Sequence, residues 1–187
     1  MTEPASVRGH ERLRLFCALR LPEATVERLT AWQRQEIAGT KDVRVLPPDH
    51  LHLTMAFLGS RPAGEVGAVA GVLRDVARNA GRPVLWPHHY SETERVAMVV
   101  LAEEEPRHAH VLAGRLMLGL EELGVYKREF RSWLPHVTVA RFRGRPRLDP
   151  PLPDLGAFSP SEAALYHSLL RPGGAQYVLL ESVALGG

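Results

Sequence analysis

The chain has 187 residues, 45% of them hydrophobic and 24% charged, with a formal net charge of +2. That is enough apolar material for one compact domain, and too little charge imbalance for a disordered polyelectrolyte. No run approaches the roughly 20 apolar residues of a membrane span, residues 1–14 lack an apolar signal-type core, and the lone Cys17 excludes an intrachain disulfide or a cysteine zinc cluster.

Leu13, Leu15, Cys17, Leu19 and Leu21 alternate with Arg14, Phe16, Ala18 and Arg20, the period of a strand that Pro22 stops. From Glu23, residues Val26, Leu29, Trp32 or Gln33, and Ile37 fall at helical spacing. Val43 and Val45 predict a short strand broken by Pro47-Pro48-Asp49. Residues 50–58 read as a longer strand ending at Gly59, with Leu51, Leu53, Met55 and Phe57 turned toward a core. A second helix fits 64–79 on Val66, Val69, Leu73 and Val76.

Strands follow at 84–86 and 95–101. The acidic run Glu103-Glu104-Glu105 reads as an exposed turn, with Pro106 opening a third helix that ends at Leu123-Gly124. A strand starts at His136, and a loop rich in Pro, Arg and Gly runs to Pro160. Residues 162–169 and 175–185 form a hairpin around Pro172-Gly173-Gly174. Adjacent strands without an intervening helix predict an antiparallel α+β fold.

Charge is uneven along the chain. Lys127, Arg128, Arg131, Arg141, Arg143, Arg145 and Arg147 face one acid, Glu129, between residues 126 and 147. Such a block either attracts a polyanion such as RNA or is a solvated arginine-rich loop.

Chemistry is carried by a repeat: His52-Leu53-Thr54-Met55 and His136-Val137-Thr138-Val139. Residues two apart on a strand share a face, so each strand presents an imidazole beside a hydroxyl, backed by apolar neighbours. A neutral imidazole can take a proton from water, an imidazolium can give one to a leaving oxygen, and two hydroxyls can donate to non-bridging phosphate oxygens. The competing reading is a pair of structural histidines. His50 shares the parity of His52, but no third ligand or carboxylate is signalled for a metal. His88, His89, His108 and His110 read as surface or helix positions.

Four segments together resemble the two-histidine phosphoesterases, in particular the RNA 2',3'-cyclic phosphodiesterase or 2'-5' RNA ligase family. They are Arg14-Leu15-Phe16-Cys17-Ala18 with Leu21-Pro22, residues 51–59, Pro135-His136-Val137-Thr138-Val139-Ala140-Arg141, and Leu165-Tyr166-His167-Ser168 through Gly174 to Tyr177. The resemblance implies an α+β fold of two antiparallel sheets, pseudo-twofold related around a cleft, with residues 1–187 as a single domain of two intertwined lobes and helices outside. It implies opening of an RNA terminal 2',3'-cyclic phosphate to a 2'-phosphate; the imidazole and hydroxyl chemistry itself needs no metal ion, and no cofactor is expected. His52 matches the general acid and His136 the general base; Thr54 and Thr138 match phosphate-binding hydroxyls. Phe16 matches an aromatic position that packs on the terminal nucleoside, and Arg141 a basic position beside the substrate. Simple alternation, however, puts Arg141 on the face opposite His136 unless the strand twists, bulges or ends there.

The expected partner is an RNA end bearing a 2',3'-cyclic phosphate, not a membrane, and a cytoplasmic monomer is expected. Two other readings stay open: reversible 2'-5' ligation at the same site, and a non-catalytic RNA-end binding module.

Overall fold

The structure, a computed structural model, describes residues 11–127, 132–172 and 174–186. Arg128, Glu129 and Arg131 of the basic block, Gly173 of the hairpin turn and residues 1–10 lie outside the described residues. The elements are β1 (Arg12–Arg20), α1 (Glu23–Trp32, continued by a π turn over Gln33–Ile37), β2 (Val43–Val45), β3 (His52–Pro62) and α2 (Val66–Arg78). They continue with β4 (Leu85–Glu92), β5 (Val96–Glu103), α3 (His108–Glu122), β6 (His136–Phe142), β7 (Glu162–Arg171) and β8 (Gly174–Ala184).

These strands form two four-stranded sheets, ordered β3-β1-β7-β8 and β2-β6-β5-β4, and every strand pair is antiparallel. The triplets β3-β1-β7 and β6-β5-β4 correspond, each carrying a His-x-Thr strand beside its central strand. β8 and β2 extend the two sheets at different edges. The arrangement is the antiparallel α+β fold that the order of elements predicts, with the pseudo-twofold pairing of sheets that the family resemblance implies.

Central strand β1 is buried on both faces, from Leu15 through Leu19. This accounts for a sequence whose alternation of Leu with Phe16 and Ala18 is apolar on both sides. α2 places Val69, Ala70, Leu73 and Ala77 against the core, and α3 places Ala109, Leu112, Ala113, Leu116 and Leu120 there. Both stripes follow the helical three- and four-residue spacing.

Several boundaries differ from expectation. β3 begins at His52, because Pro48–His50 form a 3-10 turn, and it continues past Gly59 to Pro62. β4 extends well beyond residue 86, so His88 and His89 sit on a strand. Pro106 lies two residues before α3 rather than opening it. Glu103 is not an exposed turn residue. Its side chain is 1% exposed and accepts hydrogen bonds from the backbone N–H groups of Ala109 and His110. It thereby satisfies donors that the first turn of α3 would leave orphaned, as a capping side chain does, from six and seven residues upstream.

Candidate active site

A cleft of about 350 Å³ lies between the two sheets. One wall carries Phe16, His52, Thr54, Phe57, Ser168 and Tyr177, and the other Arg44, His136, Thr138 and Arg141, and among the described residues no carboxylate side chain lines it. The His-x-Thr pairs, 84 positions apart in sequence, thus open into one space. Its basic lining suits an anion.

How the strands deliver these side chains depends on a bulge repeated in both. In β3, Ala56 pairs with Cys17 and Thr54 with Ala18, leaving Met55 as an extra residue. In β6, Ala140 pairs with Ala97 and Thr138 with Met98, leaving Val139 extra. The extra residue and its successor are both buried, as Met55-Ala56 and as Val139-Ala140. Parity therefore flips beyond each bulge. Arg141 joins the face of His136 and Thr138, and Phe57, 47% exposed, lines the cleft instead of the core. The expectation that Phe57 faces the core is corrected by the same kind of insertion that brings Arg141 in.

Gln33 pins the second bulge. Only 1% exposed, its amide donates to the carbonyl oxygens of Leu46 at 3.1 Å and Val139 at 2.6 Å. Val139 also accepts from the Leu46 N–H at 2.9 Å. Gln33→Leu removes these donors from a buried setting and is expected to cost about 1–3 kcal/mol, measured as a lower urea midpoint. An unchanged midpoint would show that the amide does not hold the bulge.

Both histidines are tethered by the residue two positions earlier. The Leu134 carbonyl lies 2.8 Å from Nδ1 of His136. A carbonyl only accepts, so Nδ1 carries the hydrogen, and the lone pair of the neutral ring is on Nε2. The His52 ring also hydrogen-bonds the backbone of His50.

His52 is further held in an aromatic stack. Phe16 lies nearly parallel to it at 5.0 Å, Tyr166 stacks on Phe16 at 5.1 Å, and Tyr177 meets Phe16 edge-on at 4.9 Å. Phe16 is 3% exposed, so its ring is occupied by His52 and Tyr166. Its geometry supports orienting His52; Phe57 and Tyr177 offer more open aromatic surface to the cleft. His50, with its side chain 12% exposed, stacks on Tyr177 at 4.3 Å and lines the cleft as a third imidazole.

One cause dominates the electrostatics of two cleft imidazoles. Burial pushes His52 down to about 4; the neighbouring His50, His136 and Arg141 add to this, against a hydrogen bond to the His50 backbone. Burial also lowers His50, with Arg44 and Arg141 pushing the same way and Asp49 opposing. Stability follows with a definite sign. As pH falls below 6.5 an unfolded histidine gains a proton, while folded His52 stays neutral to about 4, so unfolding takes up protons in that window. The stabilisation is complete above pH 6.5, and on the order of 2–3 kcal/mol is lost on descent to pH 4. Urea unfolding at pH 7 and pH 4 should show His52→Gln losing less stability than the wild type. Equal losses would contradict the assignment.

A second chain of contacts, not apparent from sequence, ties the site strands together. The indole N–H of Trp133 donates to the Thr54 backbone carbonyl at 2.9 Å. His110 packs edge-on against Trp133 at 5.2 Å, and Glu103 lies 2.6 Å from His110 Nδ1. The loop preceding His136 is thus fastened to the strand bearing His52. Residue types alone carry no signal for this, because the partners come from β3, β5, α3 and a loop. His110, expected as a surface or helix residue, is a helix residue with this internal role.

Among the described residues no three His, Cys, Asp or Glu side chains gather to hold a metal ion. Cys17 is buried, and its thiol is pushed up to about 12 by that burial. No described helix is long and apolar enough to cross a membrane.

Two sheets that each deliver a bulged His-x-Thr strand to one cleft define a two-histidine phosphoesterase architecture. A Thermus thermophilus protein of known structure superposes with a TM-score of 0.80 and 29% identity, covering 94% of this chain and 99% of that one. Escherichia coli LigT complexed with 3'-AMP superposes at 0.77 with 25% identity over 95% and 100%. The LigT like Phosphoesterase family matches residues 19–84. The RNA 2',3'-cyclic phosphodiesterase of Thermus thermophilus is 34% identical over 184 residues, 94% of this chain and 91% of that protein. The protein of the same name from Methanothermobacter thermautotrophicus is 26% identical, over 91% and 97%. The chain belongs to the LigT-like RNA 2',3'-cyclic phosphodiesterase family.

Proposed function

We propose that this protein hydrolyses the 2',3'-cyclic phosphate at an RNA 3' end to a 2'-phosphate, with His52 and His136 as its acid–base pair. The observation that carries the reading is the convergence of both His-x-Thr pairs on one basic cleft. Relatives named for this activity support it, as does the 3'-AMP complex of LigT. The two lobes act as one domain over residues 1–187, since the cleft takes one histidine from each sheet.

In the forward step, water attacks phosphorus and gives its proton to the Nε2 lone pair of His136. The P–O3' bond breaks, and protonated His52 supplies the hydrogen that O3' needs. Thr54 and Thr138 donate to the non-bridging oxygens, where charge accumulates. Arg141 adds a cation beside the phosphate. Proton exchange with solvent then returns both rings to their starting states.

Above about pH 4 His52 is neutral in the ligand-free protein, so the acid must be charged as substrate enters. A phosphate anion placed between the imidazoles favours their protonated forms and opposes the burial that keeps His52 neutral. Substrate binding therefore carries proton uptake.

Incubating the protein with cyclic-phosphate RNA, with and without a 5'-hydroxyl RNA and with EDTA, tests the reading. Hydrolysis under all three conditions is expected. Joined RNA as the principal product would favour 2'-5' ligation, and binding without any turnover would favour an RNA-end binding module.

A further inference from the structure

Outside the catalytic cleft lies a second groove of about 410 Å³, lined by Asp42, Arg44, Arg141, Phe142 and Arg143. Arg44 and Arg141 line both cavities, so the groove adjoins the cleft across a ridge of two guanidinium groups. We infer that this outer groove holds a phosphodiester of the RNA upstream of the cyclic end. The inference rests on the proposed RNA-end activity and extends the protein's contacts with that RNA beyond the terminal nucleotide.

Charge placement supports it first. Arg44 and Arg141 are direct cross-strand partners on β2 and β6, so two like charges stand side by side and concentrate positive potential at the ridge. Among the described residues no acidic side chain lies within ion-pair reach of Arg141 or Arg143. Arg145, in the same basic block, is instead engaged by Glu92 at 3.3 Å. Glu92 also takes the backbone N–H groups of Arg147 and Leu148. The block therefore divides into an arginine tied down by Glu92 and arginines turned to a groove.

Arg44 also reaches the opposite sheet: a Cβ at Gly174 would stand 3.1 Å from its Nη1. It closes one end of the cleft beside the outer groove. Between Arg141 and Arg143, Phe142 is buried at 7% exposure and offers no open ring for a base. Among the described residues, three guanidiniums, one carboxylate and no free aromatic face suit backbone phosphate, which is held without reading sequence. The preference should accordingly depend on chain length and salt, and little on base identity.

The test compares binding of 3'-AMP with that of a diadenylate carrying a 3'-phosphate and no 5'-phosphate, which adds one upstream adenosine and the phosphodiester that joins it. The wild type should bind the dinucleotide about tenfold more tightly. Arg143→Gln should remove most of that preference while Arg143→Lys retains most of it. Arg143→Gln should also flatten the slope of log affinity against log salt by about 0.7 for the dinucleotide. Equal affinities in the wild type, or an equal loss for both ligands in Arg143→Gln, would overturn the inference. Because binding is read without turnover, a protein that keeps this preference yet fails to hydrolyse cyclic phosphate would sink the catalytic reading and leave the groove assigned.

Discussion

Replacing His52 or His136 with alanine should lower kcat on cyclic-phosphate RNA by about 10³–10⁴-fold while the fold persists. The magnitude follows from each imidazole's part in the proposed step. Without His136, water must attack without a base; without His52, O3' must leave as an alkoxide. Because the two act in one proton-transfer sequence, the double variant should be little worse than either single one. The fold should survive because both rings lie on the cleft face, with Leu53 and Val137 behind them in the core. His136→Ala also gives up one hydrogen bond, to the Leu134 carbonyl, worth about 1 kcal/mol. His52→Ala leaves a gap beside Phe16. Circular dichroism and urea unfolding separate lost chemistry from lost structure. More than about a tenth of wild-type kcat in either variant would remove that histidine from the acid–base pair.

The second large effect concerns the hydroxyls. Thr54→Val and Thr138→Val should each reduce kcat by about 10²–10³-fold, with a smaller change in KM. Valine keeps the branched shape that suits a strand and deletes only the donor. The bond from Trp133 to residue 54 should persist, because it ends on the backbone carbonyl. A donor aimed at charge that develops in the transition state affects kcat. One that merely holds the ground state affects KM, so KM rising alone would reduce the threonines to substrate anchors.

Strand parity and the repeated motif reveal the two His–Thr pairs because both obey a period of two within a few residues. The same rule misplaces Phe57 and leaves Arg141 ambiguous, since each follows an inserted residue. The sequence does hold a cue: Met55-Ala56 and Val139-Ala140 are consecutive apolar pairs that break alternation at the same point of both motifs. The Phe16–Tyr166–Tyr177 stack joins β1 to β7 and β8 across some 150 positions, and no local pattern encodes it. Glu103 is misread as a turn residue because a carboxylate capping a helix from six residues upstream has no short-range signature. The fold class is more legible, because the order of strands and helices already favours antiparallel sheets.

In the proposed mechanism water opens the cyclic phosphate with O3' as the leaving group. The direct measurement incubates the protein with an oligonucleotide ending in 2',3'-cyclic phosphate and resolves 2'-phosphate from 3'-phosphate termini. The proposed mechanism predicts accumulation of the 2'-phosphate, lost in both His52→Ala and His136→Ala. A 3'-phosphate product, or an intact cyclic end after prolonged incubation with folded protein, would contradict it.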